Sequence, residues 1–483
     1  MNLKHSINIV SKFLELFGLL ILVPIICSLI YDEGDIYAFV LSALLTVLVG
    51  IVADYLTRSG SDDIDFYRKD GFFIASFCWI TAVIFGSLPY LFSGTLHNPV
   101  DAIFESVSGF TTTGSSIISN IEAVPHGILF WRSFTQWLGG MGIIILAIAI
   151  LPRLSVGGMQ LMSLEAPGPT TEKLTPRIAE TAKHLWGVYL FLTLLMLVIL
   201  KLLGMPLYDS FIHVFSTLST GGFSNKNLSV GAYDNAQIEY VITVFMFIAG
   251  ANFALLYWAL RGNLRKLVTN PEFKFYLLIN LLVILAVTSD LYIKHFDRMT
   301  DAFRYASFNI VSISTTTGFA SIDFDKWPEF SKYLLVLLMF IGGCSGSTSG
   351  SVKVMRIIIL IKQAFKEIKK NIYPNAVFPL NYGGNIIDDK VTSSIISFFL
   401  IYIFIFAVSV IILTLDGISI ISAFTACAAN IGNVGPGLDF VGPSRNYSEL
   451  SNLSKSVLSF LMLVGRLELF AVLVIFTPHF WKK

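Results

Sequence analysis

The sequence predicts an all-α polytopic membrane protein: two leading helices, then four pseudo-fourfold repeats of helix, re-entrant half-helix and helix around a central axis, about ten full spans in all. Three observations predict it: a charge content too low for a water-facing surface, ten apolar runs of spanning length, and a short segment that recurs four times. Of the 483 residues, 55% are apolar, 14% aromatic and 13% charged, and the mean hydropathy is +0.74. A soluble domain carries about 25% charged residues, so this chain lacks the polarity to cover itself in water. The 33 basic and 32 acidic residues nearly cancel, which leaves no footprint for nucleic acid and no chain-wide polybasic anchor.

A bilayer core of about 30 Å takes about 20 apolar residues of helix. Runs of that length fall at 13–30, 37–56, 72–93, 128–151, 185–204, 238–260, 275–294, 332–361, 393–415 and 455–476. The first follows Lys4 and Lys12 but has no small-x-small cleavage site before Asp32-Glu33, and a second run follows at once, so it reads as an uncleaved span rather than a signal peptide. Most Lys and Arg, including Arg58, Arg261, Arg265 and the cluster Lys362, Lys366, Lys369 and Lys370, fall on one side. The positive-inside rule makes that side, and both termini, cytoplasmic. Cys27, Cys78, Cys344 and Cys427 lie apart within or beside apolar stretches and read as small core residues.

After the two leading helices, each pair of spans encloses an outer segment of one design: a short amphiphilic stretch with Phe, a Ser/Thr-rich turn, then Gly. The four copies are DAIFESVSGFTTTGS from Asp101, DSFIHVFSTLSTGGF from Asp209, SFNIVSISTTTGFA from Ser307 and SAFTACAANIGNVGPG from Ser422. Aligned on Gly114, Gly221, Gly318 and Gly435, they recur at intervals of 107, 97 and 117 residues, with Phe104, Phe211, Phe308 and Phe424 ten or eleven residues earlier. A second glycine mark stands inside each following span, at Gly140, Gly250, Gly343 and Gly465. The chain divides accordingly into a leading unit, 1–70, and four repeats, 71–160, 161–270, 271–375 and 376–483.

Each amphiphilic stretch is too short to span and long enough to re-enter the membrane. Irregular backbone is tolerated at that depth only where protein buries it or water lines it, so four such loops imply a pore around a fourfold axis. A dehydrated cation there needs oxygens, which backbone carbonyls supply without net charge, and Gly accepts the backbone conformations this requires. The candidate filter residues are Thr112, Thr113, Gly114, Ser219, Thr220, Gly221, Thr316, Thr317, Gly318, Asn433, Val434 and Gly435. No carboxylate sits at the filter glycine in any copy, which favours a monovalent cation over a divalent one.

Two further features lie below the loops. The run Gly342 to Ser351 holds Gly342, Gly343, Gly346 and Gly350 in the middle of an apolar segment; glycine costs about 1 kcal/mol per helical residue relative to Ala, so the helix should break into an intramembrane loop able to gate the path. Packing of small residues between helices is the competing reading. Arg466 is the one Lys or Arg deep in a predicted span. Placing it there costs at least about 2.5 kcal/mol, so it faces either the path, as a barrier to cations, or carbonyls and acids of another helix. Glu468 is not on its helical face.

These motifs resemble the TrkH-type subunits of the Trk/Ktr/HKT superfamily of potassium transporters. The resemblance covers essentially the whole chain and rests on the four filter segments, Gly432-Asn433-Val434-Gly435-Pro436-Gly437-Leu438, the loop 342–350 and Gly465-Arg466-Leu467-Glu468. It implies K+ uptake across the cell membrane, with K+ at the filter residues as transported ion, no covalently bound cofactor, a gate formed by the loop with Arg466, a homodimer in the lipid bilayer, and a cytosolic ring of nucleotide-binding regulatory subunits. Gly114 stands where serine accompanies sodium preference in that superfamily. The fourth copy departs at Asn433-Val434. The basic segments 152–183, 261–274 and 362–390 face that ring. A Na+- or H+-coupled secondary transporter is the rival, but it calls for inverted repeats. An enzyme finds no HExxH, no GxSxG and no carboxylate pair within a span.

Overall fold

A computed structural model describes residues 3–58, 68–142, 178–467 and 469–482. The leading unit is a hairpin of Leu3–Ile21, continued as Ile25–Ile30 beyond Pro24, and Ile36–Thr57. Its first helix buries Phe13, Phe17 and Ile21, a stripe at helical spacing, while the outer helix leaves Leu44, Leu48 and Leu56 exposed, as a lipid-facing surface requires.

Four repeats follow in the predicted order. The first comprises Arg68–Gly86 with its short extension Leu88–Phe92, the half-helix Pro99–Phe110 and His126–Gly140; the second, Ile178–Leu202, Leu207–Leu218 and Ala236–Ala249 continued as Phe253–Leu260. The third has Pro271–Lys294, Met299–Ser314 and the pair Glu329–Met339 and Val354–Ile372; the fourth has Asp389–Leu415, Ile420–Ile431 and Asn452–Arg466 continued as Phe470–Leu473. A two-stranded hairpin pairs Asn381–Tyr382 with Asn385–Ile386 between the last two repeats. Helix starts follow local chemistry: Asn98 caps the first half-helix ahead of Pro99, and Ser419 caps the fourth.

The count of ten spans is not reached among the described residues. Six helices are long and apolar enough to cross a membrane, or eight if each of two bent pairs counts once. The pairs bend by 108° after Ala249 and by 111° after Arg466. Residues 143–151 of the expected fourth run, and 152–177 of the first basic segment, lie outside the described residues, and the run 332–361 is split by a loop between Met339 and Val354. Hydropathy counts these as unbroken because it averages over a window in which apolar residues on both sides outweigh the few polar ones at the breaks. In the second, third and fourth repeats the helix nonetheless ends within four residues of the second glycine mark. Cys78, Cys344 and Cys427 are buried free thiols, and Cys27 is half-buried.

Candidate functional site: a ring of four loops

Each half-helix ends in the same backbone figure. Thr112, Thr220, Thr316 and Asn433 take φ of 54°, 54°, 60° and 53°, and the glycine two residues on is also left-handed, at Gly114, Gly222, Gly318 and Gly435. The residue between them sends its N–H five residues back into the half-helix: Thr113 to Ser108, Gly221 to Ser216, Thr317 to Ser312 and Val434 to Ala429, at 2.9, 2.8, 2.8 and 2.7 Å. This is the closure usually made with glycine at the left-handed position. A β-branched threonine is strained there, so the surrounding structure imposes it.

The four loops close on one another. A Cβ on Gly114 would collide with the carbonyl oxygen of Gly221, one on Gly222 with that of Thr317, one on Gly318 with that of Val434, and one on Gly435 with that of Thr113. Each glycine is therefore needed because the next loop occupies its side-chain space, and the cycle returns to its start. The same four glycines line one outer cavity of about 130 Å³.

This geometry corrects the register of the second repeat by one residue. Gly222, not Gly221, is the counterpart of Gly114, so the triad there is Thr220, Gly221 and Gly222, and Ser219 caps the half-helix. The slip arose from the adjacent glycines and from the phenylalanine mark. Phe104 and Phe308 are fully buried, whereas Phe424 of the fourth repeat is 37% exposed; the rings in the second and fourth repeats sit one position out of step with those in the first and third.

Behind the ring, one position braces three of the loops. Nine residues before the ring glycine stand Glu105, His213 and Asn309. Glu105 accepts from Ser116 Oγ and from the Ile117 N–H at 3.0 Å each, and from Arg132 Nε at 2.7 Å. Arg132 also donates to Ser116 and to the Ser224 carbonyl, and lies over the Phe223 ring. His213 donates from Nδ1 to the Asp209 carbonyl at 2.8 Å, and its Nε2 meets Ser224 Oγ at 3.1 Å. Asn309 donates to Ser321 Oγ. The fourth repeat has Ala426 there, and Tyr447 serves instead, donating to the Gly435 carbonyl at 2.7 Å and accepting from Asn430. Gln136 locks the second loop from the side, donating to the Gly221 carbonyl at 2.6 Å and accepting from the Phe223 N–H. None of these braces was expected as a site residue, although Gln136 stands within the second glycine mark.

Beneath the ring lies the loop 340–353. Gly350 donates its N–H to Thr316 Oγ1 at 2.7 Å, and Thr348 Oγ1 donates to the Leu218 carbonyl. The loop also repairs the broken helix of the second repeat: Cys344 donates to the Gly250 carbonyl at 2.8 Å, and Phe253 donates to the Gly346 carbonyl at 3.0 Å. Backbone groups freed by two interruptions thus satisfy each other, as a membrane interior demands. Arg466 is half-buried and gives its guanidinium to the carbonyls of Thr348, Gly139 and Gly140 at 2.6, 2.6 and 2.8 Å. The gate candidates Gly342, Gly343, Gly346, Gly350 and Arg466 therefore converge; Glu468 lies outside the described residues. The three carbonyls that hold Arg466 belong to segments other than its own helix.

Chemically, the ring offers carbonyl and hydroxyl oxygens. Among the described residues no three His, Cys, Asp or Glu side chains gather to hold a metal ion, and the carboxylate nearest the first loop, Glu105, is committed to Arg132. At the outer end of the fourth half-helix, the Ser422 and Ser419 hydroxyls hold the Asp439 carboxyl below its ordinary range.

Comparison with known proteins agrees with this geometry. The TrkH family, described as cation transport proteins, matches residues 36–483. The Trk system potassium uptake protein TrkH of Halomonas elongata is 39% identical over 486 residues, covering 100% of both chains. The protein of the same name from Escherichia coli is 37% identical over 487 residues, again with full coverage of both. The crystal structure of the potassium transporter TrkH from Vibrio parahaemolyticus superposes with a TM-score of 0.89 at 38% identity, covering 100% of each chain.

Proposed function

Because the chain belongs to the TrkH family of cation transport proteins, we propose that it takes up potassium ions across a cell membrane through the ring of four loops. It is a transporter rather than an enzyme, and K+ is its cargo. The observation that carries this reading is the closed cycle of glycines and carbonyls, which places oxygens of four loops around one axis. The C-terminal ends of four half-helices lead into that ring, and their partial negative charge favours a cation.

The filter in this reading is Thr112, Thr113 and Gly114; Thr220, Gly221 and Gly222; Thr316, Thr317 and Gly318; and Asn433, Val434 and Gly435. Backbone oxygens replace the hydration shell without a fixed charge, which suits a monovalent ion that must also leave. The loop 342–351 closes the path below, and Arg466 holds it there while adding positive charge under the filter. The chain works as a homodimer with both termini cytoplasmic, in the five-part division given above, and its basic inner segments receive a ring of nucleotide-binding subunits.

The test is ion flux into liposomes carrying the purified protein, with K+ or Na+ gradients and with or without the regulatory subunits. K+ flux is expected, and Gly318→Ser should reduce K+ preference, since its added atoms meet the Val434 carbonyl. Absence of K+ flux in every condition sinks the reading; flux that requires a Na+ or H+ gradient replaces the channel-like path with a coupled one.

A further inference from the structure

The inner loop is fastened on both sides of its filter contacts by one side chain that is neither a filter nor a gate candidate. Glu272 stands in the first turn of Pro271–Lys294, just after its cap Asn270, and is 5% exposed. Its Oε1 accepts the N–H of Ser345 at 2.7 Å and the N–H of Met355 at 3.1 Å. The chain leaves this oxygen, runs up to touch the filter at Thr348 and Gly350, and returns to the same oxygen. Lys353 adds electrostatic attraction to the carboxylate while its ammonium donates to the Ser349 carbonyl. The other ionisable neighbours are the Cys344 thiol and the Tyr382 hydroxyl, the latter from the hairpin between the last two repeats.

We propose that Glu272 is the positioning residue that keeps the inner loop seated in its closed place, and that displacement of the Pro271 end of its helix releases the loop. This rests on the reading of the loop as a gate. Arg466 and Thr316 hold the upper part of the loop, at Thr348 and Gly350, against the pore. Glu272 holds Ser345 and Met355, on either side of those contacts, from a different helix, at the end of that helix that belongs to the basic segment 261–274. A force applied there reaches both Ser345 and Met355 through one carboxylate. A charged acceptor is suited to the task because a buried N–H that loses its partner is costly, so the loop stays down until both bonds break together.

The native Cys344, fully buried within the loop, reports on this directly. In a protein with Cys27, Cys78 and Cys427 replaced by alanine, the rate at which a membrane-impermeant thiol reagent labels Cys344 would be measured in liposomes beside K+ flux. Glu272→Ala should speed labelling by about tenfold or more, and Glu272→Gln, which keeps size and one acceptor, should do so to a smaller extent; K+ flux should rise with labelling. Unchanged labelling in both variants overturns the proposal, and so does faster labelling with unchanged flux. Removal of residues 345–349 separates the two readings. If that removal raises flux while the Glu272 variants stay shut, the gate stands and its anchor is elsewhere; if the removal leaves flux unaltered, the gate reading itself fails.

Discussion

The first and fourth loops share a backbone figure and differ in what stands behind it. Loop one is backed by an ion pair, Glu105 with Arg132, at 0% and 1% exposure, which ties its ascending limb to the second loop through Ser224. Loop four is backed by neutral groups, Asn430 and Tyr447, which tie it to the first loop through Ser115. One geometry is thus reached with two kinds of chemistry. The ring is specified by its backbone, and the support is free to differ in chemistry as long as the charged group it buries is paired.

The comparison breaks hardest at Arg132. Arg132→Met leaves the Glu105 carboxylate buried without its cation and should cost about 3–5 kcal/mol, read as a fall in the thermal unfolding temperature of the purified protein; adding Glu105→Gln should recover much of it. A smaller loss is expected at the neutral brace. Tyr447→Phe removes the hydrogen bond to the Gly435 carbonyl and the one from Asn430, worth about 1 kcal/mol each, and should loosen the K+/Na+ flux ratio more than it lowers stability. If the ratio holds, loop four does not need its brace for selection. Next come the left-handed threonines. Among the described residues Thr112 Oγ1 finds no partner, whereas Thr316 Oγ1 receives Gly350. Thr112→Gly should therefore be neutral or stabilising by up to about 1 kcal/mol, and Thr316→Gly should not; equal effects would show that the hydroxyl of Thr316 contributes nothing.

The mildest effect is one of pH. Serine hydroxyls stabilise ionised Asp439, so its folded pKa is below that of the unfolded chain. Its contribution is complete above the ordinary Asp value of about 3.9 and is lost as pH falls through the depressed one. Proteolysis of the outer segment 437–451 should accelerate only at strongly acid pH, and Asp439→Asn should remove that dependence.

Much of this was legible in the residues. The re-entrant half-helices followed from apolar stretches too short to span, and the helix breaks of the second, third and fourth repeats fall beside the second glycine mark. The register of loop two was not legible, because Gly221 and Gly222 are indistinguishable until the left-handed backbone at Gly222 and the Thr317 carbonyl against it show which one faces the next loop. The braces were hidden for another reason: Glu105, His213, Asn309 and Ala426 occupy equivalent positions with no chemistry in common, so no repeat pattern could mark them. The span from 238 to 260 read as one helix because hydropathy does not register direction, while Asn252 caps a new helix at the bend. Glu272 looked like part of an ordinary helix start.

The closure between Gly435 and Thr113 has a consequence for how the protein comes into being. The first and last quarters of the ring touch across 320 residues of sequence, where Ser115 Oγ donates to the Gly435 carbonyl. A chain inserted from its N-terminus holds three sides of an unfinished frame until the fourth half-helix arrives. No closed ring of loops therefore stands in the membrane before the fourth half-helix is in place.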